Sequence, residues 1–129
     1  MILAVLIAAS DQLSQLFKFS FKRLRPCYNE DISGVVRLVK TSCGGKYSYF
    51  SAHASTSAAL AVYIGLIFKS TYKQLLYILL FFTFLVGYSR IYIGVHYPLD
   101  VITGFCLGGF LGYLFYQLFK KVLTAFYPS

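Results

Sequence analysis

The chain is short of charge: Lys, Arg, Asp and Glu make up 12% of its 129 residues, whereas hydrophobic residues make up 58%. Ordinary soluble domains carry about 25% charged and roughly 45–50% apolar residues. The sequence also has no Gly/Ser-rich or Pro-rich linker, and its length suits one domain, residues 1–129. These absences exclude a polar, water-soluble body and are typical of a protein embedded in lipid.

The missing polar body also decides how the net charge of +8 is interpreted. A basic chain ordinarily suggests nucleic acid as a partner, but a nucleic-acid-binding protein needs a polar body that carries its basic face. We therefore predict no nucleic-acid partner. The N-terminal run MILAVLIAAS lacks a preceding basic region, so we predict that it starts a membrane helix and is not a cleaved signal peptide.

Four apolar stretches predict an all-α integral membrane bundle of about four transmembrane helices. They are Ile2 to about Phe17, Ala54 to Phe68, Leu75 to Tyr88, and Val101 to Phe119. A span needs about 20 apolar residues, which the last stretch approaches alone and the middle two reach with their flanks. The first stretch carries Asp11, Gln12 and Gln15, which must face protein or water if it crosses the bilayer.

The connections between the stretches predict the orientation. The short basic turn KSTYK and the later pair Lys120–Lys121 belong in the cytoplasm by the positive-inside rule. The 33-residue segment 18–50 and the segment 89–100 then share the outer face. Segment 18–50 is too long for a simple turn, which indicates a functional loop. Its many Lys and Arg residues oppose this orientation, and we attribute several of them to anion binding.

Cysteine and glycine add two expectations about packing. Of three cysteines, Cys106 lies in an apolar run and is expected to pack as a small hydrophobe. Cys27 and Cys43 bracket the polar loop, and a disulfide and two free thiols are equally compatible with the sequence. Glycines spaced by four in the last stretch let another helix approach closely, and we expect that helix within the same chain rather than in a dimer. These glycines are Gly104, Gly108 and Gly112.

Three polar clusters are predicted to meet at the outer face: KFSFKRLRP (18–26), YFSAHAS (49–55) and SRIYIGVHYPLD (89–100). They contribute the cations Lys18, Arg25 and Arg90, and guanidinium groups pair bidentately with phosphate oxygens. The helix that starts after Phe50 offers backbone N–H groups to an anion. The pattern therefore indicates a phosphate site.

Two histidines and an aspartate supply the chemistry for such a site. Asp100 follows His96 by four residues, so its carboxylate can hold one ring nitrogen as N–H and leave the other to attack phosphorus. His53 can then protonate the leaving oxygen. The residues predict phosphoryl transfer that needs no metal and no cofactor.

The three clusters resemble the signature of the type 2 phosphatidic acid phosphatases, K-x6-R-P, P-S-G-H and S-R-x5-H-x3-D. The second motif departs from the pattern, because Phe50 and Ala52 stand where the family has proline and glycine. The matching positions are Lys18, Arg25 and Pro26, then Ser51 and His53, then Ser89, Arg90, His96 and Asp100.

The resemblance implies a role for each residue. His96 would form a phosphohistidine, oriented by Asp100, and His53 would act first as general acid and then as base for water. Family members in membranes have about six helices, so the chain either lacks N-terminal helices of that core or is a reduced version. The phosphoryl oxygens would be held by Lys18, Arg25, Ser51, the Ala52 N–H, Ser89 and Arg90.

The sequence thus predicts metal-independent hydrolysis of a lipid phosphate or diphosphate, of phosphatidate, phosphatidylglycerol phosphate or undecaprenyl diphosphate type. The partners are this phospholipid or polyprenyl substrate and the bilayer, at the outer (periplasmic) face of a bacterial-type inner membrane. Two alternatives stay open, a lipid phosphotransferase and a catalytically inert membrane fragment or scaffold. Vanadium haloperoxidases resemble the family at the same residues, but they are soluble, which this composition excludes. The sequence does not specify the lipid or the oligomeric state.

Overall fold

The structure is a computed structural model that describes residues 2–22, 47, 49–92, 94 and 96–127. Three of its helices are long and apolar enough to cross a membrane, whereas the second, with 16 residues, is shorter. At 1.5 Å per residue that helix is about 24 Å long, less than the roughly 30 Å of a bilayer core. The all-α fold is confirmed. The helices are α1 (Ile2–Phe21), α2 (Ala52–Ile67), α3 (Leu75–Tyr92) and α4 (Pro98–Phe126).

The centre of the bundle is a seam of glycines between α2 and α4, which run parallel. A Cβ built on Gly104 would lie 2.8 Å from the carbonyl oxygen of Ser51. One on Gly108 would lie 2.7 Å from the carbonyl carbon of Ser55, and Gly112 meets the α2 backbone one turn further on. Because the neighbours are backbone atoms, only glycine permits this approach. The expectation that these glycines pack within the chain is confirmed.

Helix α1 packs antiparallel to α2 through hydroxyl groups. Ser10 Oγ lies 2.8 Å from Ser55 Oγ and 3.2 Å from Thr56 Oγ1, and Ser14 Oγ donates to the carbonyl oxygen of Phe50 at 3.3 Å. Such interhelical bonds in membranes contribute about 0.6 kcal/mol each. Beyond this level α1 continues for seven residues to its end, which is about 10 Å at 1.5 Å per residue.

The polar residues of α1 differ in whether they are buried against the other helices or exposed. The buried positions of α1 are Leu6, Ser10 and Ser14, spaced by four. Asp11 and Gln12 lie on the face that the other described helices leave exposed. The polar contacts with α2 are therefore made by small hydroxyl side chains and not by the larger polar groups, while Leu6 packs with Ala59 and Tyr63 of α2.

Helix α3 packs against α2 and α4, and within the described residues it makes no contact with α1. Thr83 Oγ1 donates to the carbonyl oxygen of Ser57 at 3.1 Å, and at Gly65 an added Cβ would lie 2.9 Å from Cα of Leu76. At Gly87 an added Cβ would instead meet side chains of α4, those of Val101 and Phe105. Since α1 and α3 run against α2 and α4, two helices end and two begin at one end of the bundle, which we call the His96 end.

The outer surface is apolar, whereas the interior contains small and hydroxyl-bearing residues together with larger apolar side chains such as Leu6, Phe50 and Tyr63. Small and hydroxyl-bearing residues between helices are typical of membrane bundles. On α3 the buried residues are Thr83 and Gly87, while Phe81 and Phe84 are 60% and 59% exposed. Cys106 is exposed on α4, so the expectation that it packs as a small hydrophobe is wrong for the described bundle. It lies away from the glycine seam, on the exposed surface of the described bundle.

Candidate functional site

Two helix N-termini lie side by side at the His96 end. The backbone N–H of Ser51, the N-cap of α2, donates to the carbonyl oxygen of Asp100 in the first turn of α4 at 3.2 Å. Because α2 and α4 are parallel, the positive ends of both helix dipoles point to the same region. Helices α1 and α3, which end here, contribute Lys18 and Arg90, each in the last turn of its helix. This combination favours an anion.

The cap of α2 combines two of the predicted phosphate ligands. Ser51 is fully buried, and its Oγ accepts the N–H of Ala54 at 3.3 Å. The hydroxyl therefore caps the helix, and its own hydrogen is not used in that bond. Ala52, the first residue of α2, does not have a positive φ. Alanine in place of the family's glycine therefore imposes no backbone strain here.

His96 and Asp100 form a buried pair at the start of α4. Their side chains are 3% and 0% exposed, and His96 Nδ1 lies 3.6 Å from Asp100 Oδ2. The same Oδ2 accepts the N–H of Tyr97 at 2.8 Å, so the carboxylate also satisfies the first turn of α4. With Nδ1 facing the carboxylate, the ring directs Nε2 away from it.

His53 differs from His96 in its exposure. It lies in the first turn of α2 and is exposed, and its carbonyl oxygen accepts the hydroxyl of Ser57 at 2.7 Å. An exposed imidazole can exchange protons with water, which a general acid must do in each catalytic cycle. The two histidines thus have surroundings suited to different tasks.

The two predicted ligands on α3 are not equivalent. The buried Nε of Arg90 donates no hydrogen bond to any described residue, and a buried donor without an acceptor costs about 1–3 kcal/mol. An anion at this position would supply the acceptor. Ser89 Oγ instead donates to the carbonyl oxygen of Val86 at 2.6 Å within its own helix. To donate to a phosphate it would have to give up that bond.

An aromatic cluster that sequence reasoning missed holds Lys18 near α2. Helix α1 continues through Lys18 to Phe21, four residues into the segment expected to be loop. The ring of Phe17 lies 5.2 Å from that of Phe50, and Phe21 lies 4.9 Å from Tyr49. These four rings join the last turn of α1 to the residues just before Ser51. The signal was present as Phe17 and Phe21, four residues apart and so on one face of a helix, and as the pair Tyr49–Phe50.

The structure brings eight of the nine predicted site residues to the His96 end, and the ninth, Arg25, lies outside the described residues together with Cys27 and Cys43. Within residues 2–22, 47, 49–92, 94 and 96–127, no group of three or more His, Cys, Asp or Glu residues is placed to hold a metal ion. The expectation of metal-free chemistry stays a prediction. The eight residues are Lys18, Ser51, Ala52, His53, Ser89, Arg90, His96 and Asp100.

Comparison with known proteins assigns the family. The model of the PAP2 superfamily matches residues 1–123. The chain belongs to the PAP2 superfamily. The resemblance to type 2 phosphatidic acid phosphatases is thereby confirmed, and the apolar helices of this PAP2 chain make it an integral membrane protein.

Three relatives give the scale of the similarity. Lipid A 4'-phosphatases of Bacteroides thetaiotaomicron and Porphyromonas gingivalis are 36% and 37% identical over 125 and 119 residues, or 95% and 92% of this chain. Those residues are 54% and 49% of the relatives, so the PAP2 chain spans about half their length. The crystal structure of a transmembrane PAP2-type phosphatidylglycerolphosphate phosphatase from Bacillus subtilis has a TM-score of 0.76 at 26% identity, covering 93% of this chain and 58% of that one.

Proposed function

We propose that this PAP2 chain carries the active site of a lipid phosphate hydrolase in which His96 is the nucleophile. The observation that carries the proposal is the buried pair of His96 and Asp100, 3.6 Å apart, beside the N-terminus of α2. The names of the relatives support lipid phosphates as the substrate class.

In the first step Nε2 of His96 attacks phosphorus while the bond from phosphorus to the leaving oxygen breaks. Asp100 faces Nδ1 and stabilises the positive charge that the ring gains. His53 gives a proton to the leaving oxygen, which departs as the lipid alcohol or as a lipid monophosphate. The product on the enzyme is a phosphohistidine.

In the second step water attacks the phosphohistidine, and the bond between Nε2 and phosphorus breaks. His53, now neutral, takes the proton of that water and returns to its starting state. Its exposure supports this role, because the water arrives from outside the bundle. Inorganic phosphate leaves, and His96 is restored.

The charge on the phosphoryl oxygens is balanced by groups from several elements. The Ala52 N–H and the positive end of the α2 dipole face the phosphoryl group from α2. Lys18 from α1 and the unsatisfied Nε of Arg90 from α3 add positive charge and a hydrogen-bond donor. We include Ser51 and Ser89 as further ligands, together with Arg25. Removing one such donor costs about 10²–10³-fold in rate in comparable sites.

The position of the site in the bundle suits a substrate anchored in lipid. Helix α1 extends about 10 Å past the level of Phe50, so the site lies below the end of α1 and not at the tip of the bundle. The basic KSTYK turn and Lys120–Lys121 lie at the opposite end. We infer that this opposite end is cytoplasmic and that the site opens to the outer face of a bacterial-type inner membrane.

The test is phosphate release in detergent from a lipid monophosphate and a lipid diphosphate, with EDTA present. We expect phosphate release by the wild type and none by His96→Ala. With substrate labelled in its phosphate group, the wild-type protein should retain label that is stable to base and labile to acid, as a phosphohistidine is. Activity that persists in His96→Ala would contradict the proposal. Loss of activity in EDTA would contradict the metal-free mechanism.

The same experiment separates the alternatives. A phosphorylated product formed with added glycerol, at the expense of free phosphate, would indicate a phosphotransferase. A folded chain that binds vanadate but releases no phosphate from either substrate would indicate an inert fragment. The ratio of the two substrate rates distinguishes a monophosphatase from a diphosphatase.

A further inference from the structure

The end of the bundle opposite His96 contains a cavity of about 650 Å³. It lies between the turn that joins α2 to α3 and the later part of α4. Its polar wall consists of Lys69, Ser70 and Lys73. The cavity residue Tyr116 comes sixteen positions after Asp100 along α4, which is about 24 Å at 1.5 Å per residue. The cavity is therefore separate from the candidate active site.

The turn that carries these lysines is held by its own backbone. The N–H groups of Thr71 and Tyr72 both donate to the carbonyl oxygen of Phe68, at 3.1 and 2.8 Å, and Leu75 donates to Tyr72 at 3.1 Å. The two lysines thus project from a defined turn. Helix α3 begins directly after it, so the positive end of that helix dipole faces the same side.

Charge in this region has one sign. The turn from Phe68 to Gln74 contains no Asp or Glu, and α4 contains none after Asp100. Lys69 and Lys73 therefore have no acidic neighbour in the elements that form the cavity. A binding partner with negative charge would satisfy both.

The remaining walls are amphipathic. The last turn of α2 contributes Leu66 and Ile67, and the rings of Tyr77 from α3 and Tyr116 from α4 complete the lining. Tyrosine favours the boundary between lipid headgroups and acyl chains, because it is apolar with one polar tip. The volume lies within the roughly 300–1,000 Å³ of sites that bind small molecules.

We propose that this cavity binds the phosphate headgroup of an anionic phospholipid from the leaflet opposite the active site. The phosphate lies between Lys69 and Lys73, the Ser70 hydroxyl donates to it, and the glycerol and first acyl carbons lie against Ile67 and the two tyrosines. A soluble phosphate would use the lysines alone, whereas a lipid uses both walls. The bound headgroup connects the α2–α3 turn to α4 at the end of the bundle opposite His96.

The test measures binding of dioleoyl phosphatidylglycerol and dioleoyl phosphatidylcholine to the full chain in detergent by native mass spectrometry. Each basic residue near a membrane surface contributes about 1 kcal/mol toward anionic lipid, so removing two corresponds to roughly 30-fold. We expect Lys69→Gln combined with Lys73→Gln to weaken phosphatidylglycerol binding by about that factor and to leave phosphatidylcholine unchanged.

The matched control is Lys120→Gln combined with Lys121→Gln. It removes the same charge from the same end, outside the cavity lining, although Lys120 Nζ lies 5.6 Å from the Tyr116 ring centroid. Equal weakening in both double variants would mean general surface attraction and would overturn the site. So would equal binding of the two lipids by the wild type, or displacement of the lipid by millimolar glycerol phosphate. Thermal stability without added lipid checks that both variants are folded.

Discussion

Gly108 is the position at which one added methyl group should separate α2 from α4. A Cβ there would lie 2.7 Å from the carbonyl carbon and 2.8 Å from Cα of Ser55. Carbon atoms in ordinary contact are about 3.5–4.0 Å apart, so Gly108→Ala must move the helices apart by about 1 Å. The bond from Ser51 N–H to the Asp100 carbonyl, 3.2 Å long, lies on the same seam and would exceed hydrogen-bond length.

The expected cost follows from two opposing terms. Overpacking against a backbone that cannot rotate away costs up to about 3 kcal/mol, and replacing glycine by alanine within a helix returns about 1 kcal/mol. We expect Gly108→Ala to lower the free energy of unfolding by about 2 kcal/mol. A shift of about 1 Å between His96 on the α4 side and Ala52 on the α2 side should lower kcat/KM for phosphate release about 100-fold.

Gly109→Ala is the matched control, since it makes the same change one residue away. A Cβ on Gly109 would lie 3.8 Å from Val62 Cγ2, an ordinary contact, so this variant should gain up to about 1 kcal/mol. The assay is the folded fraction recovered by gel filtration after heating in detergent, together with phosphate release. Wild-type stability and activity in Gly108→Ala would refute the close seam. Lost stability with unchanged kcat/KM would refute its role in positioning the site.

Three further substitutions test single parts of the site. Asp100→Asn keeps an acceptor for Tyr97 N–H but removes the charge beside His96. We expect kcat to fall about 10⁴-fold while thermal stability stays close to wild type. A decrease of less than tenfold in kcat would contradict the orienting role. Arg90→Lys keeps the charge but loses Nε, so the vanadate dissociation constant should rise about tenfold, whereas unchanged affinity would place the anion elsewhere. Phe17→Ala breaks the aromatic cluster, with pair energies of about 0.5–1.5 kcal/mol beyond burial, and should lower thermal stability; Phe19→Ala, at a 64% exposed ring, is the control that should not.

The motif spacing predicted which residues would meet at the His96 end, whereas hydropathy did not predict which face of each helix would be buried. The third motif spans the end of α3 and the start of α4, so its residues lie at the same end of the bundle. These residues are Ser89, Arg90, His96 and Asp100. Hydropathy is a weaker guide to packing, because a helix in lipid turns its large apolar residues outward. Thr83, and not a phenylalanine, is therefore what α3 buries.

Hydroxyl hydrogen bonds were beyond prediction for a different reason. A serine on a membrane helix can bond to its own backbone, to a neighbouring helix or to a ligand, and sequence does not distinguish these. Ser89 bonds to the carbonyl of Val86 on its own helix, Ser10 to α2, and Ser51 caps α2. Each choice depends on which backbone groups the tertiary structure leaves available.

The two adjacent helix N-termini are not equally suited to a phosphate, and the difference is set by their caps. In the first turn of α4 the carboxylate of Asp100 already accepts a backbone hydrogen bond, from Tyr97 N–H to Oδ2 at 2.8 Å. Its negative charge repels a second anion. The cap of α2 is the neutral Ser51, and its first turn contains no acid. We therefore expect the phosphoryl group to lie over α2, against the Ala52 N–H. The carboxylate of α4 then acts on His96 and not on the substrate, so the nucleophile lies just before α4 and the anion site lies at the start of α2.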